Sequence, residues 1–113
     1  MQYTITGKVV KGDRYGMKLG FPTVNLETKI DRQKDFPRDG VYAGIGTLDS
    51  KIYKAGIVIG PGEKVEAHLI GYNGDAYGEY VTLETIKFLR EYKIFNTEAE
   101  LIQQIKRDIE SCK

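Results

Sequence analysis

The side chains with the most chemistry in this sequence are Thr23 and Asn25, in the run Pro22-Thr23-Val24-Asn25, and Glu66, in Lys64-Val65-Glu66-Ala67-His68-Leu69. Pro22 biases Phe21 toward extended backbone, and in an extended chain residues 23 and 25 project to the same side. A threonine hydroxyl and an asparagine carbonyl are hard donors, suited to a Mg2+ ion that keeps most of its water and takes further ligands from phosphates. The same two side chains could instead bond to the backbone of a turn, and the residues alone leave both readings open. Glu66 and His68 share the parity opposite to Val65, Ala67 and Leu69, so the carboxylate stands on the outer face of a strand. A strand holds a general base in place better than a loop does. An ordinary surface glutamate has the same parity, and His68 reads as a structural histidine. Upstream, Gly12, Gly16 and Gly20 alternate with Lys11, Arg14 and Lys18. Such a loop can bring its backbone close to a phosphate while cations stay near. The glycine spacing fits neither the P-loop nor the dinucleotide fingerprint, and barrel turns and bulges also collect glycines.

These groups need rigid elements to hold them. Short runs rich in β-branched and aromatic residues recur at 2–10, 41–48, 51–59, 64–71 and 79–89 and read as strands. Tyr53, Ala55, Ile57 and Ile59 occupy one parity of the third run, and Val65, Ala67 and Leu69 one parity of the fourth, as half-buried strands require. Asp49-Ser50, Gly60-Pro61-Gly62 and Asn73-Gly74 lie between successive runs, so consecutive strands are expected to be antiparallel neighbours. Five or six strands around one core suit a small Greek-key barrel. Thr97 and Glu100 have capping-box spacing, and Leu101, Ile102, Ile105 and Ile109 recur at helical intervals, which predicts an amphipathic helix over about 97–111. Its polar face, with Gln103, Gln104, Lys106, Arg107, Asp108 and Glu110, reads as solvated. Residues 26–39 read as a long surface loop.

A length of 113 residues with 41% apolar side chains gives one domain, 1–113. The net charge of +1 gives no global reason to expect a nucleic acid or a membrane as partner. Cys112, the single cysteine, sits one residue from the C-terminus, where it can form no intramolecular disulfide and is poorly placed for a packed active site, which suits a reducing, cytoplasmic compartment. One histidine and one cysteine are too few for a structural zinc. The N-terminal residues show neither a signal-peptide pattern nor a run long enough to span a bilayer.

Taken together, Gly7, Val9, Gly12, Gly16, Leu19-Gly20, Pro22-Thr23 and Asn25 resemble the opening motif of the riboflavin kinase family. Gly40-Val41-Tyr42, Glu66 with His68, Tyr77-Gly78, Leu89-Arg90 with Lys93 and Phe95, and then Leu101, Gln104-Ile105 and Asp108 follow in the family's order. The resemblance covers essentially the whole chain, and Leu-Gly-x-Pro-Thr-x-Asn is its most specific part. It implies a mainly β fold: a small antiparallel Greek-key β-barrel of about six strands with a C-terminal α-helix. It also implies transfer of the γ-phosphate of ATP to riboflavin, giving FMN and ADP, with Mg2+ or another divalent cation. By similarity, Gly12, Gly16, Lys18, Gly20 and Thr23 would cover the nucleotide phosphates, and Leu69, Gly71 and Tyr77 would line the adenine side. Thr23 and Asn25 would hold the metal, Glu66 would take the proton of the ribityl 5′-hydroxyl, and Arg90, Lys93 and Phe95 would bound the flavin. The partners implied are small molecules, bound by a monomer.

The sequence departs from the family pattern in two places. Ile59-Gly60-Pro61-Gly62-Glu63-Lys64 is a trimmed connection, and Asn73-Gly74-Asp75-Ala76 replaces more apolar residues before Tyr77. Bacterial members usually carry an N-terminal adenylyltransferase domain as well, of which this sequence shows nothing. The trimmed loops motivate an alternative, a non-catalytic flavin- or nucleotide-binding barrel. Eight tyrosines and the cluster Lys8, Lys11, Arg14 and Lys18 motivate a third reading, a barrel that binds single-stranded nucleic acid.

Overall fold

Alternation with period two builds most of this molecule. In the computed structural model, which describes residues 3–10, 24–27, 38–62, 64–72, 76–93 and 96–112, the elements are β1 (Tyr3–Val10), β2 (Val24–Glu27), β3 (Gly40–Leu48), β4 (Lys51–Gly60), β5 (Lys64–Leu69), β6 (Tyr80–Arg90) and α1 (Glu98–Cys112). The strands close into an antiparallel barrel in the order β1-β2-β5-β4-β3-β6, as expected for the fold class. Val9, Ala55, Ile57, Ile59, Val65, Ala67, Val81 and Leu83 point inward and are almost fully buried. Burying each of the larger ones contributes about 1.5–3 kcal/mol. Thr85 is a polar exception in this interior. Its Oγ1 accepts the Tyr3 N–H at 3.0 Å and its hydroxyl faces the Tyr3 carbonyl at 3.5 Å, so burial leaves it satisfied.

Local chemistry sets the hairpins. Asp49 and Ser50 both take positive φ, 53° and 64°, the requirement of a type I′ turn, whose twist matches the strands it joins. Gly44 sits beside an irregularity in the β3–β6 pairing. A Cβ there would collide with the Glu84 carbonyl oxygen, so only glycine permits this close approach.

Two expectations are corrected. Residues 26 and 27 belong to strand β2, not to a loop: Leu26 lies between Val9 of β1 and Val65 of β5 and is buried. Of the remainder of that supposed loop, residues 28–37 lie outside the described residues. The second correction concerns β5 and β6, which are consecutive in sequence but not neighbours. With β2 and β4 on its two edges, β5 has no edge left, and the chain crosses the end of the barrel so that β6 pairs with β1 and β3. Asn73-Gly74 lie outside the described residues, and the strands on either side of them are not paired with each other.

The helix packs outside the barrel on β3 and β4. Its start follows the cap, with the Glu100 N–H donating to Thr97 Oγ1 at 3.2 Å. At its far end Cys112 is buried, and a Cβ on Gly56 would stand 3.4 Å from its Sγ. Cys112 is thus a packing residue that holds the helix against β4. Burial, and secondarily the charge of Asp108, raise its thiol pKa above the ordinary value.

Candidate active site

Strand pairing brings two of the chemistry-bearing residues together. Asn25 of β2 is the direct cross-strand partner of Glu66 of β5. Val24, Leu26, Val65 and Ala67 on either side of them are buried in the core, which leaves Asn25 and Glu66 half-buried on the outer wall. Directly opposite residues in an antiparallel pair have Cβ atoms about 4.5–5.5 Å apart, so an amide oxygen and a carboxylate stand side by side on rigid backbone. The same lateral row continues to Val10 of β1, the partner of Asn25, and to Val58 of β4, the partner of Glu66. His68, two residues on along β5, shares this outer face, and its partner is Gly56.

The two rims of the barrel differ in character. One rim carries Leu69, Gly71, Tyr72 and Tyr77. Gly71 has φ +90° in the turn that follows β5, and Tyr72 meets Tyr53 edge-on with ring centroids 5.5 Å apart. Tyr77 packs half-buried against the core, and the Gly78 N–H donates to the Val9 carbonyl at 3.0 Å, tying the 76–79 segment to β1. Leu69 is only 3% exposed with its side chain inside the barrel, so its backbone is the part a ligand would meet. Glu66 precedes Leu69 by three residues, about 10 Å along a strand. That span is comparable to the length of a triphosphate chain.

The opposite rim carries the end of β6. Tyr42 and Phe88 meet edge-on at 5.2 Å, and the Arg38 guanidinium lies 4.0 Å from the Phe88 ring centroid. The Tyr42 hydroxyl donates to the Arg38 carbonyl at 2.7 Å, and burial raises its pKa, an effect the nearby Arg38 charge opposes. Tyr92 leans on Gly60, where an added Cβ would come within 3.3 Å of its ring. Gly56, Val58 and Gly60 thus form a shallow outer wall between Cys112 and Tyr92, beside Glu66. Lys93 follows in the same exposed segment.

Of the residues singled out from sequence, Asn25, Glu66, Leu69, Gly71, Tyr77, Arg90 and Lys93 are among those described. Gly12, Gly16, Lys18, Gly20, Thr23 and Phe95 lie outside the described residues. Arg90 bonds within the protein, to Asp108 and the Glu91 carbonyl. This corrects the reading of the helix's polar face as wholly solvated, since Asp108 is 15% exposed and engaged. Sequence reasoning also missed Tyr92, and no signal in the sequence links it to Gly60. Among the described residues no group of three or more His, Cys, Asp or Glu is arranged to hold a metal ion, and no helix is long and apolar enough to cross a membrane.

The class of protein is a closed six-stranded antiparallel barrel with a C-terminal helix packed outside it, and comparison with known proteins gives the family. The family model for riboflavin kinase (Flavokinase) matches residues 1–113, and the chain belongs to that family. The RNA-binding riboflavin kinase RibR of Bacillus subtilis is 35% identical over 116 residues, covering 96% of this chain and 48% of that protein. A bifunctional riboflavin kinase/FMN adenylyltransferase of the same organism is 31% identical, covering 94% of this chain and 36% of that one. The chain therefore spans half or less of the length of these relatives. Among solved structures, a macrolide-efflux protein from Streptococcus pneumoniae superposes with TM-score 0.85 at 28% identity, over 95% of this chain and 37% of that one. Riboflavin kinase from Trypanosoma brucei superposes with TM-score 0.76 at 24% identity, over 98% of this chain and 74% of that one, a likeness of fold.

Proposed function

We propose that this domain transfers the γ-phosphate of ATP to the ribityl 5′-hydroxyl of riboflavin. The observation that carries the reading is the direct pairing of Asn25 with Glu66 on the outer wall, between a rim suited to a nucleotide and a rim suited to a flat acceptor. In the reaction a bond forms between the 5′-oxygen and the γ-phosphorus while the bond from that phosphorus to the β,γ-bridging oxygen breaks. The 5′-hydroxyl proton passes to the Glu66 carboxylate, and ADP leaves. The transition state is loose, so positioning and charge neutralisation matter more than a strong base, and an ordinary glutamate suffices. Asn25 and Thr23 supply the hard oxygen donors that a partly hydrated Mg2+ takes, beside an acidic neighbour, so this donor set fits the ion. When bound, the ion neutralises charge on the phosphates. Gly12, Gly16, Lys18 and Gly20 cover the phosphates, and the backbone of Leu69 with Gly71 and Tyr77 receives the base. Lys93, Phe95 and Tyr92 border the flavin, and the protein works as a cytoplasmic monomer.

Incubation with riboflavin, each nucleoside triphosphate and Mg2+, followed by separation of FMN from riboflavin, tests this directly. FMN formation with ATP is the expected result. Flavin binding without FMN would leave a non-catalytic flavin barrel in its place. One observation favours a second reading: the Bacillus subtilis relative is named as RNA-binding. The balanced charge of this chain, +1 overall, weighs against a continuous phosphate-tracking groove. Oligonucleotide binding that weakens steeply with salt would support the RNA reading.

A further inference from the structure

Arg90 commits its guanidinium to the protein. Nε and Nη2 donate to Asp108 Oδ1 and Oδ2 at 3.1 and 2.8 Å, Gln104 Nε2 donates to Asp108 Oδ1 at 3.0 Å, and Arg90 Nη1 donates to the Glu91 carbonyl at 3.1 Å. The Arg90 and Asp108 side chains are 23% and 15% exposed, so water and salt screen the pair only partly. A planar fork held by two parallel bonds fixes direction as well as distance, which a lysine cannot do. The connected pieces give this geometry its meaning. Asp108 belongs to the helix, Arg90 is the last residue of β6, and Glu91 opens the exposed segment in which Tyr92 rests on Gly60 and Lys93 follows.

We propose that Asp108, acting through Arg90, is a positioning residue for acceptor binding. It sets the angle at which the chain leaves β6 and so aims residues 91–93 at the outer wall beside Glu66, without meeting the substrate itself. The proposal deepens the kinase reading and rests on it. Because the clamp lies at the rim opposite Leu69, Gly71 and Tyr77, its loss reaches the acceptor and leaves the nucleotide alone.

The test uses Asp108→Asn, Arg90→Lys and the double variant. Riboflavin and ATP KM are measured by initial rates, and amide exchange of residues 91–93 by mass spectrometry. Each single change is expected to raise the riboflavin KM about tenfold, equivalent to about 1.4 kcal/mol. The ATP KM stays within about twofold, and the double variant is no worse than either single, because the two residues act as one unit. Exchange at 91–93 rises in Asp108→Asn while that of the β3 amides does not. Equal rises in both KM values would reduce the clamp to general scaffolding and overturn the proposal. So would a silent Asp108→Asn beside an impaired Arg90→Lys, which would make Arg90 a direct ligand contact. Absence of FMN formation by the unaltered protein would remove the kinase reading separately. Exchange at 91–93 and riboflavin affinity by fluorescence quenching would then decide the matter, with unchanged values in Asp108→Asn overturning the positioning role and a joint rise in exchange and loss of affinity supporting it.

Discussion

Replacing Glu66 by glutamine tests the proton-accepting role with little change to the strand that carries it. Glutamine keeps the volume, the strand position and one oxygen acceptor, and loses the negative charge together with the capacity to take a proton. Glu66 is half-buried on the outer wall opposite Asn25 and Val58, with core residues on both sides along β5, so the exchange leaves the barrel interior untouched. General bases contribute about 10²–10⁴-fold. In a loose phosphoryl transfer the alcohol needs little deprotonation early, which places this case at the lower end, about 10²–10³-fold in kcat, or about 2.7–4 kcal/mol. The assay is the initial rate of FMN formation at saturating riboflavin and Mg-ATP, with thermal unfolding run in parallel. Tm is expected to move by less than about 2 °C, since surface exchanges of equal volume stay within about 0.5 kcal/mol. Lys64→Gln, an exposed neighbour on the same strand face, serves as control and keeps its rate. A Glu66→Gln protein with kcat within threefold of the original and the same Tm would refute the assignment of the base. Recovery of its rate by excess Mg2+ would show that the carboxylate serves the ion rather than the hydroxyl.

Other outcomes concern the scaffold. Thr97→Ala removes the cap on Glu100 N–H and is expected to cost about 1 kcal/mol, read as a lowered urea midpoint with unchanged slope. Ser50→Gly relieves a left-handed residue at φ 64° in the β3–β4 turn and should raise stability by about 0.5–1 kcal/mol, measured the same way. Cys112 and Tyr42 both have raised pKa values in the folded state, so the folded protein holds protons that the unfolded chain releases. Stability should therefore fall as pH rises through the ordinary thiol value of 9.0 and, for the phenol, through 10.0. Cys112→Ala should flatten the first part of that decline, and an unchanged alkaline profile would contradict the assignment.

The elements with a long periodic signal were readable from sequence. Ala55-Ile57-Ile59 and Val65-Ala67-Leu69 face the interior as their parity requires, and the helix runs over Glu98–Cys112 where its capping threonine places it. Strand β2 was missed because its four residues alternate apolar and polar over too short a run to stand out as a period. Leu26 declares itself only through Val9 and Val65 on its flanks. The β5–β6 adjacency failed for a related reason: a turn signal is local, whereas the edges of β5 are occupied by strands distant in sequence. The burial of Cys112 has a signal in the sequence, since it continues the helical spacing of Ile105 and Ile109. For the site, Asn25 and Glu66 were recognisable by chemistry, yet their adjacency depends on register across 41 residues (66 − 25), which no local pattern encodes. The Arg90–Asp108 clamp was hidden similarly, because an acidic residue on the polar face of a helix looks solvated until a strand end arrives beneath it.

The seam between β1 and β6 has a consequence for how the molecule assembles. Tyr3 lies opposite Thr85 and Lys8 opposite Tyr80, so the cylinder closes only when its first and last staves meet. Contacts of such sequence separation cost loop entropy before they return any binding, which favours folding in milliseconds to seconds rather than microseconds. During synthesis the first stave must wait for the last to emerge, and through that interval it exposes unpaired backbone to any passing chain. Crowded, rapid expression is therefore the condition under which this domain is most prone to aggregate, and slowing translation or lowering temperature acts on that waiting period.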